Sequence, residues 1–346
     1  MRVLLSLLVV LGASLAGLAQ QPALQRQPSS ALDVQPPSTR VGGTPGQMAV
    51  RQRECRAFPA AQVRSRLIQI AAQEWGYFGF AVVDRTDDGT EAPPVRGGSW
   101  RGRRIDPAEA ARVASSIGGY WAVTPDGGWI LDSQNETWRR AGNENGRWRY
   151  AWSAAFVSWV MCESGLGTMT QFQRDVAHHR YIDQAIRARD GAAATAAFAA
   201  YDAGEADIAP GDLLCTARRP AYRTLAERRR QMGVGARTHC DIVVRIDEAA
   251  SRLFAIGGNV RGTVGLKALP VTRTQGRLRV VDPVDARSGR GIFAHLKLRA
   301  ALGEADVDVF DASPAVQALT CPGDGSSAAW RTAADLITGD ALACSR

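Results

Sequence analysis

The sequence predicts an α+β fold in which helices come first and pack on an antiparallel β-sheet. Two observations carry this. Apolar residues recur at helical spacing through the first half of the chain, and from about residue 212 short β-rich runs separated by turn residues take over. A chain of 346 residues is long enough to bury a sizeable core. With 45% hydrophobic and 22% charged residues and a mean hydropathy of −0.17, it is neither a multi-span membrane protein nor wholly disordered.

The elements follow in order. Met1 and Arg2 precede the apolar run from Val3 to Val10, and Gly12, Ala13, Gly17 and Ala19 follow. This is the pattern of a secretory signal peptide over residues 1–19, and the run is too short for a membrane anchor. Residues 20–57 hold Pro22, Pro28, Pro36, Pro37 and Pro45 among Gln and Ser, which reads as a disordered linker. The folded domain is expected over 58–300, followed by a C-terminal extension over 301–346. Val63, Leu67, Ile68, Ala71 and Trp75 predict a helix over 60–75. Asp106, Pro107 and Glu109 supply an N-cap, a first-turn proline and a capping-box partner for a helix to about Ile117. Residues 84–104, rich in Gly, Pro and charge, read as a surface loop. A buried helix is expected from Trp152 to Met161, stopped by Gly165, with further helices over 172–189 and 192–201. Strands are expected at 212–215, 241–246, 253–256, 265–271 and 278–281.

In an exported chain, Cys55, Cys162, Cys215, Cys240, Cys321 and Cys344 read as disulfide formers. The expected pairs are Cys215 with Cys240, each at the end of a predicted strand, and Cys321 with Cys344. No cysteine or histidine spacing suits a metal, and no metal or cofactor is expected. The formal charge of +8 is mostly arginine usage, since only Lys267 and Lys297 of 42 basic residues are lysine. Arg218, Arg219, Arg223, Arg228, Arg229 and Arg230 read by themselves as a solvated basic loop. They lack interleaved aromatics, so no nucleic-acid partner is expected.

Three residues form a candidate catalytic set. Ser153 opens the buried helix, where the dipole and free N–H groups favour an oxyanion. His239 opens a strand and is the candidate general base; Asn259, after Gly257-Gly258, is the candidate orienter of its ring. The plainer readings are an N-cap serine, a structural histidine and a turn. The ordered segments Trp152-Ser153-Ala154-Ala155-Phe156-Val157, Pro210-Gly211-Asp212-Leu213, His239-Cys240-Asp241-Ile242-Val243 and Ile256-Gly257-Gly258-Asn259 resemble the papain-like NlpC and CHAP amidohydrolase/peptidase superfamily. The match looks closest to the uncharacterised bacterial family DUF 2272, from about Arg64 to about Val281.

That resemblance implies a papain-like domain acting on peptidoglycan amide bonds, with the nucleophile at Ser153, the base at His239 and the orienter at Asn259. Relatives carry cysteine where this chain has Ser153, and a hydroxyl needs its proton removed during attack. A serine hydrolase and a non-catalytic cell-wall-binding module are therefore the two expectations, with an acyltransferase third. Candidate substrate contacts are Trp152, His179, Asp241 and Gly258, and the resemblance implies that the loop from Arg218 to Arg230, Arg228 included, borders the cleft and attracts carboxylates of a peptide stem. Asp241 has the facing of His239 and is also a candidate charge partner for it. His178 and His179 point about 100° apart on a helix and are poor joint ligands. His295 reads as a plain strand residue. The expected location is periplasmic or secreted, with no membrane span after signal cleavage.

Overall fold

Helix α1 (Ala60–Tyr77) turns Val63, Leu67, Ile68, Ala71 and Trp75 into the core, as their spacing requires. A computed structural model describes residues 25–86, 107–140, 148–281, 291–303, 308–319 and 328–338. The expected signal peptide, most of the 84–104 loop, Cys321 and Cys344 lie outside the described residues. After α1 come α2 (Pro107–Ala122), α3 (Gly127–Arg140), α4 (Ser153–Glu163), α5 (His179–Arg189), the short α6 (Leu225–Arg229) and α7 (Pro314–Gln317), and α8 (Ala328–Thr338). Every residue of α4 is buried, which is why its sequence is apolar all round rather than striped.

The strands are β1 (Val41–Gly42), β2 (Ala49–Val50), β3 (Ala81–Asp84), β4 (Phe198–Tyr201), β5 (Leu213–Arg219), β6 (Arg237–Asp247), β7 (Arg252–Val260), β8 (Thr263–Thr274), β9 (Arg277–Val280) and β10 (Ile292–Leu298). The main sheet runs β3-β8-β7-β6-β5-β10-β4, with β9 paired to β8. It is antiparallel except at one edge, where β3 joins β8 in parallel. Cys240, Ile242 and Val244 on β6 belong to the main core with α1 and α4, whereas Val243 joins Leu214, Leu253 and Ala255 in a second cluster. The fold is thus α+β, with α4 laid against β6 and β7.

Three expectations are corrected. Residues 25–57 are not a free linker. They form a 3-10 turn (Pro37–Arg40) and the β1–β2 hairpin, and bury Leu32, Val34, Val41 and Met48 in the main core. Arg26 grips Glu74 of α1 at 2.5 and 2.8 Å, Arg40 pairs with the buried Glu163, and Cys55 is bonded to Cys162 of α4. Composition suggested a tether, but these arginines find carboxylates buried on the helices. The strap lies so close to α2 that a Cβ on Gly119 would stand 1.8 Å from the Pro37 carbonyl oxygen. The alanine-rich 192–201 stretch is not helical: it ends in β4, which pairs with β10 because the sheet edge supplies the hydrogen bonds. The helix expected from 172 begins only at His179. The Cys215–Cys240 bond is present, joining paired positions of β5 and β6. Among the described residues, no helix is long and apolar enough to cross a membrane.

Candidate functional site

Ser153 is the first helical residue of α4, and Trp152 is the N-cap, with no side chain capping the helix. The Ser153 hydroxyl therefore does not serve its own helix, as a capping serine would. It lies 2.7 Å from Nε2 of His178, the residue just before α5. Ser158 of the same helix accepts from the Asp175 amide and donates to the Asp175 carbonyl, both at 3.0 Å, which ties the chain leading to His178 onto α4. The other ring nitrogen, Nδ1, accepts the Cys240 amide N–H at 3.2 Å and meets the Tyr181 hydroxyl. Burial pushes His178 well below its ordinary value and the Tyr181 phenol well above its own, so both are neutral.

His239 packs its ring edgewise on His178, with centroids 5.2 Å apart. Its Nε2 lies 2.9 Å from Asp241 Oδ1, and Lys267 Nζ holds Asp241 Oδ2 at 2.6 Å. Burial opposes ionisation of Asp241, yet His239 and Lys267 together hold its carboxyl well below the carboxylate range. Burial lowers His239 as well; Asp241 works against that shift and Lys267 adds to it. With Asp241 ionised, His239 donates through Nε2 and presents Nδ1 as an acceptor. Among the described residues Nδ1 has no hydrogen-bond partner.

Asn259 does not take the orienting role. It occupies a left-handed backbone position (φ 56°) in a register break of β7, where Asn is tolerated, and Asp241 takes His239 Nε2 instead. Trp152 is fully buried against Phe78 and Tyr120, so it cannot contact substrate. Gly258 faces Phe156 of α4, not an open cleft. His179 turns away and accepts the Ala236 amide at 3.5 Å. His178 is the histidine that meets Ser153; the pair was expected within one helix, whereas the helix begins at His179 and leaves His178 at its N-cap. Arg228 is no cleft residue either: it is fully buried on Asp183. His295 is buried on Asp212, at 2.7 Å.

Residues 109–298, more than half of the chain, match the family described as an uncharacterized protein conserved in bacteria, DUF 2272. The chain belongs to this family. Searches of curated proteins and of solved structures found no match. The DUF 2272 match spans α4, His178, β6 and Lys267, so it contains the whole Ser153–His178 and His239–Asp241–Lys267 array.

Two expectations follow for this DUF 2272 site. A Cβ on Gly257 would stand 1.9 Å from Asp241 Oδ1 and 3.1 Å from His239 Nε2. Gly257→Ala is thus expected to displace the carboxylate and cost about 1.5–3 kcal/mol for the charge-assisted bond. Because Asp241 raises the His239 value, the imidazole should then titrate at lower pH by NMR; an unchanged titration overturns this. The second concerns stability. A histidine depressed in the folded state is charged first in the unfolded chain, so acidification below about pH 6.5 favours unfolding. His178 and His239 act in this window, and the Asp241 contribution is lost only further down, as pH falls through its depressed folded value. Urea midpoints should fall between about pH 7 and pH 5, and His178→Gln should flatten that slope.

Proposed function

We propose that this protein is an exported cell-envelope hydrolase that cleaves an amide bond in peptidoglycan or a related peptide, with Ser153 as nucleophile and His239 as general base. The observation that supports it most is a buried serine at an uncapped helix N-terminus whose hydroxyl engages an imidazole instead of its own helix. A second imidazole oriented by a buried carboxylate lies against the first. The segments that resemble the NlpC and CHAP superfamily supply the substrate class, and the disulfides fit an extracytoplasmic, periplasmic or secreted location.

In this reading Ser153 Oγ bonds to the amide carbonyl carbon while its proton passes to His239 Nδ1, and the carbonyl oxygen takes the electron pair. The first amides of α4 stabilise that oxyanion. Collapse expels the amine, which takes the proton from His239, and water then hydrolyses the Ser153 ester through the same base. Asp241 holds His239 in the required tautomer, and Lys267 keeps Asp241 ionised.

The competing reading is a cell-wall-binding module on a site that no longer turns over. It draws on the low exposure of Ser153, 8%, and on its hydrogen bond to His178 rather than His239. Digestion of purified sacculi separates the two. Wild type should release new amines and carboxylates, and Ser153→Ala should lose at least about 100-fold of that rate. If only Ser153→Cys releases product, or none does while wild type still pellets with sacculi, the hydrolase reading falls.

A further inference from the structure

We propose that His178 is a positioning residue that donates its Nε2 proton to Ser153 and never accepts the Ser153 proton, although it is the group hydrogen-bonded to that hydroxyl. This deepens the reading of Ser153 as nucleophile and rests on it for its catalytic consequence, but the hydrogen-bond assignment stands on geometry alone.

A backbone amide only donates. The Cys240 N–H is held in β6, which is paired with β5 from Arg237 to Ile242 and bonded to it by the Cys215–Cys240 disulfide, and it points at His178 Nδ1 from 3.2 Å. Nδ1 must therefore present a lone pair. The Tyr181 hydroxyl meets the same nitrogen and, being protonated, can donate to it as well. A neutral imidazole carries one ring hydrogen, and with Nδ1 bare that hydrogen is on Nε2. Nε2 in turn faces Ser153 Oγ at 2.7 Å, so the ring donates and the hydroxyl accepts.

To act as a base toward Ser153, His178 would need its lone pair on Nε2 and a hydrogen on Nδ1. That hydrogen would oppose the Cys240 N–H in a site where His178 is only 4% exposed and water cannot relieve the clash. The cationic ring has the same conflict, with both nitrogens donating. A serine hydroxyl has one hydrogen and two lone pairs. Once His178 occupies one lone pair, the hydrogen is turned into another sector; His239, whose ring packs on His178 and whose Nδ1 lone pair is unengaged, is the base in the reading proposed above.

The test uses the full chain labelled with 15N-histidine. The His178 resonances, assigned by their loss in His178→Gln, should show Nδ1 unprotonated and Nε2 protonated, unchanged across the pH range over which His239 titrates. A ring protonated at Nδ1 or at both nitrogens overturns the proposal. Sacculus digestion gives the second readout, because the glutamine amide nitrogen lies near the Nε2 position and can donate. His178→Gln should keep its rate within about tenfold of wild type with the same pH profile, whereas a loss of ~100-fold or more, as for a removed general base, overturns the proposal. If wild type releases nothing, the hydrolase reading alone falls, and the resonances still decide the direction of the hydrogen bond.

Discussion

Arg228→Met is expected to destabilise the fold by about 3–5 kcal/mol, read as a fall in the urea midpoint. Arg228 Nε and Nη2 meet the two Asp183 carboxylate oxygens at 2.7 Å each, and Nη1 reaches the Tyr222 hydroxyl at 3.0 Å and the Val234 carbonyl at 2.9 Å. The Gly233 amide also donates to Asp183, at 2.8 Å. Both side chains are buried, so removing the guanidinium leaves a carboxylate with neither water nor a counter-charge. Arg228→Lys should not rescue, because an ammonium cannot span both oxygens. The double variant Arg228→Met with Asp183→Leu should recover most of the loss, since it removes the stranded charge. A single-variant cost under about 1 kcal/mol would show that the pair is not closed to water. Asp183 lies on α5, so this clamp also holds the helix that His178 precedes.

Replacing Cys55 and Cys162 together by alanine is expected to cost about 5 kcal/mol, the loop-closure value for a cross-link spanning 107 residues. The Cys215–Cys240 bond spans 25 residues, and the same relation gives about 3.5 kcal/mol, so the larger loss should belong to the first pair. Cys162 is fully buried near the C-terminal end of α4, beside Arg40 and Glu163, and alanine fits there without burying a new polar group. The loss should appear in urea midpoints under non-reducing conditions and vanish when wild type and variant are compared reduced. Equal midpoints before reduction would overturn it. Because the strap's disulfide, ion pairs and hydrogen bonds to α4 fall on Cys162 and Glu163 among the described residues, at the end away from Ser153, the NMR tautomer of His178 should be unchanged in the folded variant.

Helix α4 was legible because eleven residues without a polar face fit only a buried helix, and β6 because Ile242, Val243 and Val244 fill both faces of a central strand. Cys215 and Cys240 were legible as a pair from their places at strand ends. Helix α3 was not foreseen, and the arginines of residues 25–57 carried no mark of their partners, because Glu74 and Glu163 are distant in sequence and become carboxylates worth pairing only when their helices are buried. The orienter was misassigned for a similar reason. Gly258-Asn259 looks like a polar turn beside the strand that carries His239, yet its conformation serves a bulge, while Asp241, two residues from His239, shares its face.

By itself, the sequence determined that helices lead into a run of central strands, the buried character of α4 with Ser153 at its start, and the residues His239 and Asp241 on one strand face. These depend on periodicity and local chemistry, which a chain carries along its length. Only the tertiary structure decided that Ser153 meets His178, that Asp241 is fastened by Lys267, and that the proline-rich segment is a strap. Those choices depend on which donor and which acceptor are shut away from water together, and that is a property of packed elements distant in sequence.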